Sequence, residues 1–229
     1  MIFSESFINV LSTFYKINPG MFFRVGTIQD TIGTNSGKLL TFFCRAYTDV
    51  DIPESFVLGD IGKLLAVLRM FKTPPELNIV KNTLVIEGDN RQVTFNLVVP
   101  KFVPHCEDPE KIKMVPGHEA VLTSTNINDI LSLYTVFSPE HITFAGRDGK
   151  FQVIVSTVAN GNAPTDQGII ELGDTDGEFS AVIQAANFRI EKTKSNEDYK
   201  IVISKNGVGF IGNKTFEYFI PCEAKHSHI

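Results

Sequence analysis

The glycines of Gly207-Val208-Gly209-Phe210-Ile211-Gly212 spell the GxGxxG of a dinucleotide-binding turn. That motif does chemistry only where a strand hands over to a helix, because the helix N-terminus meets the pyrophosphate. Here strand-like sequence lies on both sides, so the run reads as part of a hairpin turned at Asn206-Gly207. The stretch from Gly33 to Leu39 approximates a phosphate loop. It has three residues rather than four between its glycines, and Leu39 stands where a Ser or Thr is required. Asp174, Asp176 and Glu178 bring carboxylates together but lack the twelve-residue ligand pattern of a calcium loop. His226, His228 and the His105-Cys106 pair have no partners at zinc spacing. No Ser/His/Asp or Cys/His arrangement can be assembled. The sequence therefore predicts no catalytic residue, no metal and no cofactor.

Composition narrows the classes further. The 229 residues are 43% hydrophobic, with 19 Phe and no Trp, which suits a Phe-rich core in one large domain or two ordinary ones. No apolar run is long enough to span a bilayer. The first eleven residues lack a basic start and include Glu5, so no signal peptide is expected. Cys44, Cys106 and Cys222 are odd in number and unpaired in spacing, as in a reducing compartment. A net charge of −5 excludes a uniformly basic nucleic-acid binder, although a total hides where charges sit.

The elements that must position any site come in a repeat. Residues 56–98 read as a short strand, an amphipathic helix and three strands joined by tight turns. The helix carries Ile61, Leu64, Leu65, Leu68 and Phe71 on one face. The same stripe returns 66 residues later as Ile127, Ile130, Leu131, Tyr134 and Phe137, and a Pro-Glu pair follows each helix. The first unit opens on Ser4 as helix cap, runs through Phe7, Ile8, Leu11, Phe14 and Tyr15, and closes at Asn18-Pro19-Gly20. A fourth unit follows Gly177 and has a shorter helix at 184–190. Four copies of one strand–helix–three-strand unit thus divide into two domains, 1–98 and 118–229. Between them, 99–117 holds Pro100, Pro104, Pro109 and Pro116 around an acidic run, and reads as a linker.

The fold class is α+β. Each unit offers one apolar helix face and one apolar sheet face, and paired units bury them with helices on one side and antiparallel sheets on the other. Open sheet edges seek partners, and a head-to-tail edge contact closes into a ring when the rotation permits.

From end to end the residues resemble the sliding clamps, specifically the DNA polymerase clamps of T-even-type bacteriophages. Leu11, Phe14, Ile17, Asn18 and Gly20 are similar to that family's first helix and its exit. Leu172-Gly173-Asp174 with Asp176-Gly177-Glu178 resembles its turn into the fourth unit. Ala186-Asn187-Phe188-Arg189 resembles its last helix, and Glu223-Ala224 its close. The resemblance implies the DNA-clamp fold and a ring-forming homotrimer around duplex DNA, without sequence preference. It implies tethering of the polymerase, loading by an ATP-driven clamp loader, service in late transcription, and residence in the cytoplasm of the infected bacterial host.

On that reading the DNA-facing residues are Lys16, Lys63, Arg69, Lys72, Arg189, Lys192 and Lys194. Residues 60–72 sum to +2 and 184–194 to +2, while 4–16 sum to 0 and 126–138 to −1. The helices together carry +3 and the rest of the chain −8, as expected of an acidic ring with a mildly basic bore. The third helix departs from the family expectation, with Ser132 and Thr135 where cations would serve. A partner-peptide groove is expected from Val99, Phe102, Val103, Met114 and Val115 with Tyr218, Phe219, Ile220 and Pro221. The same residues equally suit pinning the linker to the core. The competing reading is a non-catalytic, β-rich repeat scaffold or virion protein that binds partners without encircling DNA.

Overall fold

The computed structural model describes residues 1–35, 39–112, 117–157, 166–190, 198–212 and 215–229. The chain divides into two compact units, Met1–Pro109 and Glu110–Ile229. Among the described residues no helix is long and apolar enough to cross a membrane.

In unit 1, α1 (Glu5–Ile17) begins where the Ser4 side chain accepts from the Phe7 N–H. It buries Phe7, Val10, Leu11, Phe14 and Ile17; of the stripe read from the sequence, Phe7, Leu11 and Phe14 are buried, Ile8 is half-buried and Tyr15 is exposed. Strands β1 (Met21–Phe23), β2 (Gly26–Thr34), β3 (Leu40–Ile52) and β4 (Phe56–Leu58) follow; β2 pairs with β3 and β1 with β4, both antiparallel. Phe3 meets Phe7 edge to face at 4.6 Å between ring centres, and Phe23 stacks on Phe56 at 4.2 Å, so the Phe-rich composition is spent on this core. Helix α2 (Ile61–Leu68) buries Ile61, Leu64, Leu65 and Leu68. Then β5 (Glu76–Val80), β6 (Thr83–Gly88) and β7 (Arg91–Asn96) form a meander turned at residues with positive φ, among them Lys81, Asp89 and Asn90.

The sequence carries the α2 stripe on to Phe71, but the helix stops three residues earlier. Pro74-Pro75 impose extended backbone on what precedes them, and the Asp89 carboxylate takes the Lys72 N–H and the Thr73 hydroxyl instead. The first half of the proline-rich stretch belongs to unit 1. It makes a 3₁₀ turn at Pro100–Phe102 and buries Val103 over Gly20. Asn18 Nδ2 donates to Pro104 O at 3.1 Å, and an Arg45 guanidinium nitrogen to Pro109 O at 2.8 Å.

In unit 2, after a 3₁₀ turn at Pro109–Lys111, the chain forms β8 (His118–Leu122) and α3 (Ser124–Phe137). A reciprocal box between Thr123 and Asn126 caps α3. Only Ile127 and Ile130 of its stripe are fully buried; Leu131, Tyr134 and Phe137 are half-buried. Next come β9 (His141–Arg147), β10 (Lys150–Ser156), β11 (Gln167–Asp174) and β12 (Phe179–Gln184), in a sheet of order β11-β10-β9-β12. Finally β13 (Tyr199–Ser204), β14 (Gly207–Ile211) and β15 (Phe216–Pro221) continue one antiparallel ladder, β15-β14-β13-β8. The GxGxxG run is strand β14, flanked by strand on both sides, which removes a dinucleotide site. The helix expected over 184–190 is a single 3₁₀ turn, Ala185–Asn187. Its Ala185 N–H is taken by Glu140 O at 2.8 Å, while Phe188 and Ile190 bury themselves and Phe188 meets Phe210 edge to face.

In the sheet β5-β6-β7 and in the sheet β11-β10-β9-β12, one end is covered by a bridge and the other is open. Met1 exchanges hydrogen bonds with Leu77 of β5, and His228 does so with Ser180 of β12. Among the described residues no ladder occupies the outer edges of β7 and β11.

Candidate nucleic-acid interface

Unit 1 presents α1 and α2 side by side, joined where Ile61 N–H donates to Pro19 O at 2.7 Å. Asp60 caps α2, its Oδ1 accepting from Gly62 N–H at 2.9 Å and Lys63 N–H at 3.2 Å. Lys63, 75% exposed, stands 4.0 Å from the other Asp60 oxygen, a spacing at which a surface pair contributes little and leaves the ammonium available. Arg69 caps the far end of the helix and is exposed. The two cations line one groove of about 290 Å³ with Tyr15, Asp60, Gly62, Leu65 and Ala66. Tyr15 was expected in the buried stripe of α1. Instead it is 46% exposed, because Gly62 has no side chain and the phenol ring lies over it. The signal that could have placed it is that glycine, in the helix that packs alongside.

Lys16, in the last turn of α1, and Lys72, four residues beyond the end of α2, are also exposed but do not line the groove. In unit 2, Arg189 is exposed just after the 3₁₀ turn, with Nε donating to Ala186 O at 3.1 Å. Lys192 and Lys194 lie outside the described residues. Helix α3 offers no cation, and its Ser132 and Thr135 hydroxyls donate to Asn128 O and Leu131 O one turn back. Within unit 1 the structure thus groups Lys63 with Arg69 in one groove, which Lys16 and Lys72 do not line. Flexible, exposed cations with no base-reading partners suit phosphate contact, which positions without specifying sequence.

The expected groove residues fare differently. Val99 and Phe102 are exposed, Phe102 at 70% with the Lys101 ammonium over its ring at 5.2 Å. Val103 in unit 1, and Tyr218, Phe219 and Ile220 in unit 2, are buried, so their side chains are spent on packing and are not on offer to a partner. Pro221 is half-buried, and Met114 and Val115 lie outside the described residues. Asp174 is ion-paired to Lys150 Nζ at 2.6 Å, and among the described residues no three metal-ligating side chains converge.

No family model matches the chain. The sliding clamp of Vibrio phage KVP40 is 27% identical over 233 positions, spanning 98% of this chain and all of that protein. PCNA from A. fulgidus, in a structure with the C-terminal region of FEN-1 bound, superposes with a TM-score of 0.69 at 12% identity, covering 97% of both chains. DNA polymerase III subunit beta from Borrelia burgdorferi gives a TM-score of 0.71 at 12% identity, covering 98% of this chain and 62% of that one. The chain has the DNA-clamp fold and resembles the phage sliding clamps. In unit 1, Lys63 of α2 and its cap Arg69 share one groove, and in unit 2 α3 carries no cation.

Proposed function

We propose that this chain is a DNA polymerase processivity factor, a non-enzymatic sliding clamp that encircles duplex DNA as a homotrimer. The observation that carries the reading is the collinear match to a phage sliding clamp over 98% of this chain and the whole of that relative. The open β7 and β11 edges support it: β7 of one copy paired with β11 of the next is a heterologous contact, the kind that closes into rings. Half-buried Val93 and Phe95 on β7, and Ile170 and Leu172 on β11, give that pairing apolar area to cover. Topological tethering replaces tight binding, so the ring stays on DNA and still slides, and re-encounter by the polymerase becomes effectively intramolecular. The same tether would serve a clamp loader that opens the ring with ATP and, in late transcription, a second set of clients, all in the host cytoplasm. Exposed Phe102 and Val99 are the apolar residues of the expected peptide groove that remain available to such clients.

Product length in primer extension, with the cognate polymerase, loader and ATP, tests the reading. The protein lengthens products; unchanged length overturns it, and a particle without a central hole would favour the scaffold alternative. In the same assay the charge-reversal triple K63E/R69E/R189E shortens products toward the clamp-free length. A triple variant that supports full processivity removes those residues from the DNA-facing set.

A further inference from the structure

The four-stranded sheet of unit 2 ends on β12, and a segment more than forty residues downstream closes that end. Ser180 N–H donates to His228 O and Ser180 O accepts from His228 N–H, both at 2.7 Å. Two residues along, Val182 N–H donates to Ser227 Oγ at 3.0 Å and Val182 O accepts from Glu223 N–H at 2.8 Å. Alternate residues of an edge strand point their backbone groups outward, so these bonds consume the exposed ladder of β12. The covering segment is not itself a strand; its one bridge is at His228.

Side chains hold it in place. The Glu223 carboxylate accepts from His141 Nε2 on one oxygen and from Gln184 Nε2 on the other, both at 2.8 Å. His141 and Gln184 are register partners at the ends of β9 and β12, so one carboxylate ties two adjacent strands to the segment. His226 closes the turn, its N–H donating to Glu223 O at 3.0 Å and its ring edge-on to His141 at 5.9 Å.

We propose that residues 223–228 are a removable edge guard that withholds β12 from strand donors, and that the donor withheld is β7 of a second copy of this chain. The identity of the donor rests on the ring reading, in which β7 already serves β11, the opposite end of this same sheet. Uncovering β12 gives each chain a second acceptor for one donor edge, and an assembly built to close by two complementary edges then branches.

Two variants test this: E223A in the full chain, which removes the carboxylate anchor, and a chain ending at Cys222. Amide hydrogen exchange at Ser180 and Val182 and light scattering across a concentration series are the readouts, with circular dichroism confirming that each variant is folded. In both, exchange at the two amides rises at least tenfold and particle mass grows with concentration beyond that of the parent; adding F95E to E223A abolishes the growth. Unchanged exchange in E223A overturns the guard, and so does fast exchange with the parent's mass at every concentration. A monomeric parent overturns the ring reading separately, while growth of E223A still decides the guard. Should the truncated chain fail to fold, E223A alone decides.

Discussion

Asp30 is buried in unit 1 and ion-paired with the Arg24 guanidinium, which also donates to the Cys106 carbonyl and lies over the Phe22 ring. Burial pushes the Asp30 carboxyl above its ordinary 3.8, against the pull of Arg24. A raised carboxyl disfavours the charged native form, so this group's contribution to stability falls as pH rises from below 3.8 through the raised value. Removing the carboxylate strands a largely buried cation: D30A costs about 3 kcal/mol in urea unfolding at neutral pH, and a loss near zero would contradict the pairing. At Cys222, burial pushes the thiol up to about 11 from 9.0. The thiolate is the nucleophile, so alkylation at pH 8 runs roughly 100-fold slower than for an unperturbed thiol, checked by timed labelling and mass spectrometry; labelling at the rate of a free thiol would refute the burial. Lys63 and Arg69 were legible in the sequence as exposed cations because helical period separates them from the Leu64, Leu65 and Leu68 stripe. Tyr15 was not, since its exposure depends on Gly62, which no periodicity within α1 reveals.

At the scale of elements, strands and hairpins were legible where alternation and turn chemistry agreed, as at Asp148-Gly149, where both residues take positive φ. Helix ends were less so. The α2 stripe ran past its true end because apolar spacing does not register the hold of Asp89 on Lys72 and Thr73, and the fourth stretch made only a 3₁₀ turn, after which Phe188 packs edge to face on Phe210 of β14. The third helix kept its period yet buries only part of it, a matter of tertiary fit that no stripe encodes. Gly146 shows the same limit on a strand. It pairs with Phe151 and Phe179, and a Cβ there would stand 2.0 Å from Gly177 O and 2.6 Å from the Phe179 ring, itself stacked on His118 at 4.1 Å. Backbone cannot yield as a side chain does, so G146A destabilises by about 2 kcal/mol or more, measured by thermal or urea denaturation. A neutral outcome would mean that the β9–β12 approach is looser than described.

At the scale of the molecule, the repeat was readable because the first three units carry the same order of helical stripe and turn, although the fourth has a 3₁₀ turn in place of the helix. Which sheet edges stay open was not, because a bridge such as Ser180 to His228 joins residues with no shared pattern. The open β7 and β11 edges make the proposed assembly testable: F95E or I170E places a charge on the apolar face that pairing would cover, and on the ring reading this shifts light scattering from the proposed trimer toward monomer with circular dichroism unchanged. A trimer that persists in both variants would move the contact elsewhere. The β12 cover carries one further consequence, for the timing of biogenesis. During synthesis at about 5–20 residues per second, the edge of β12 is made several seconds before Glu223, Ser227 and His228 reach it. On the proposed reading, the nascent sheet has two acceptor ends through that interval, and neighbouring chains on one messenger are the nearest donors. Slow decoding after β12 would lengthen the exposure and favour cross-paired chains; rapid synthesis through residues 223–228 would protect the yield of the proposed ring.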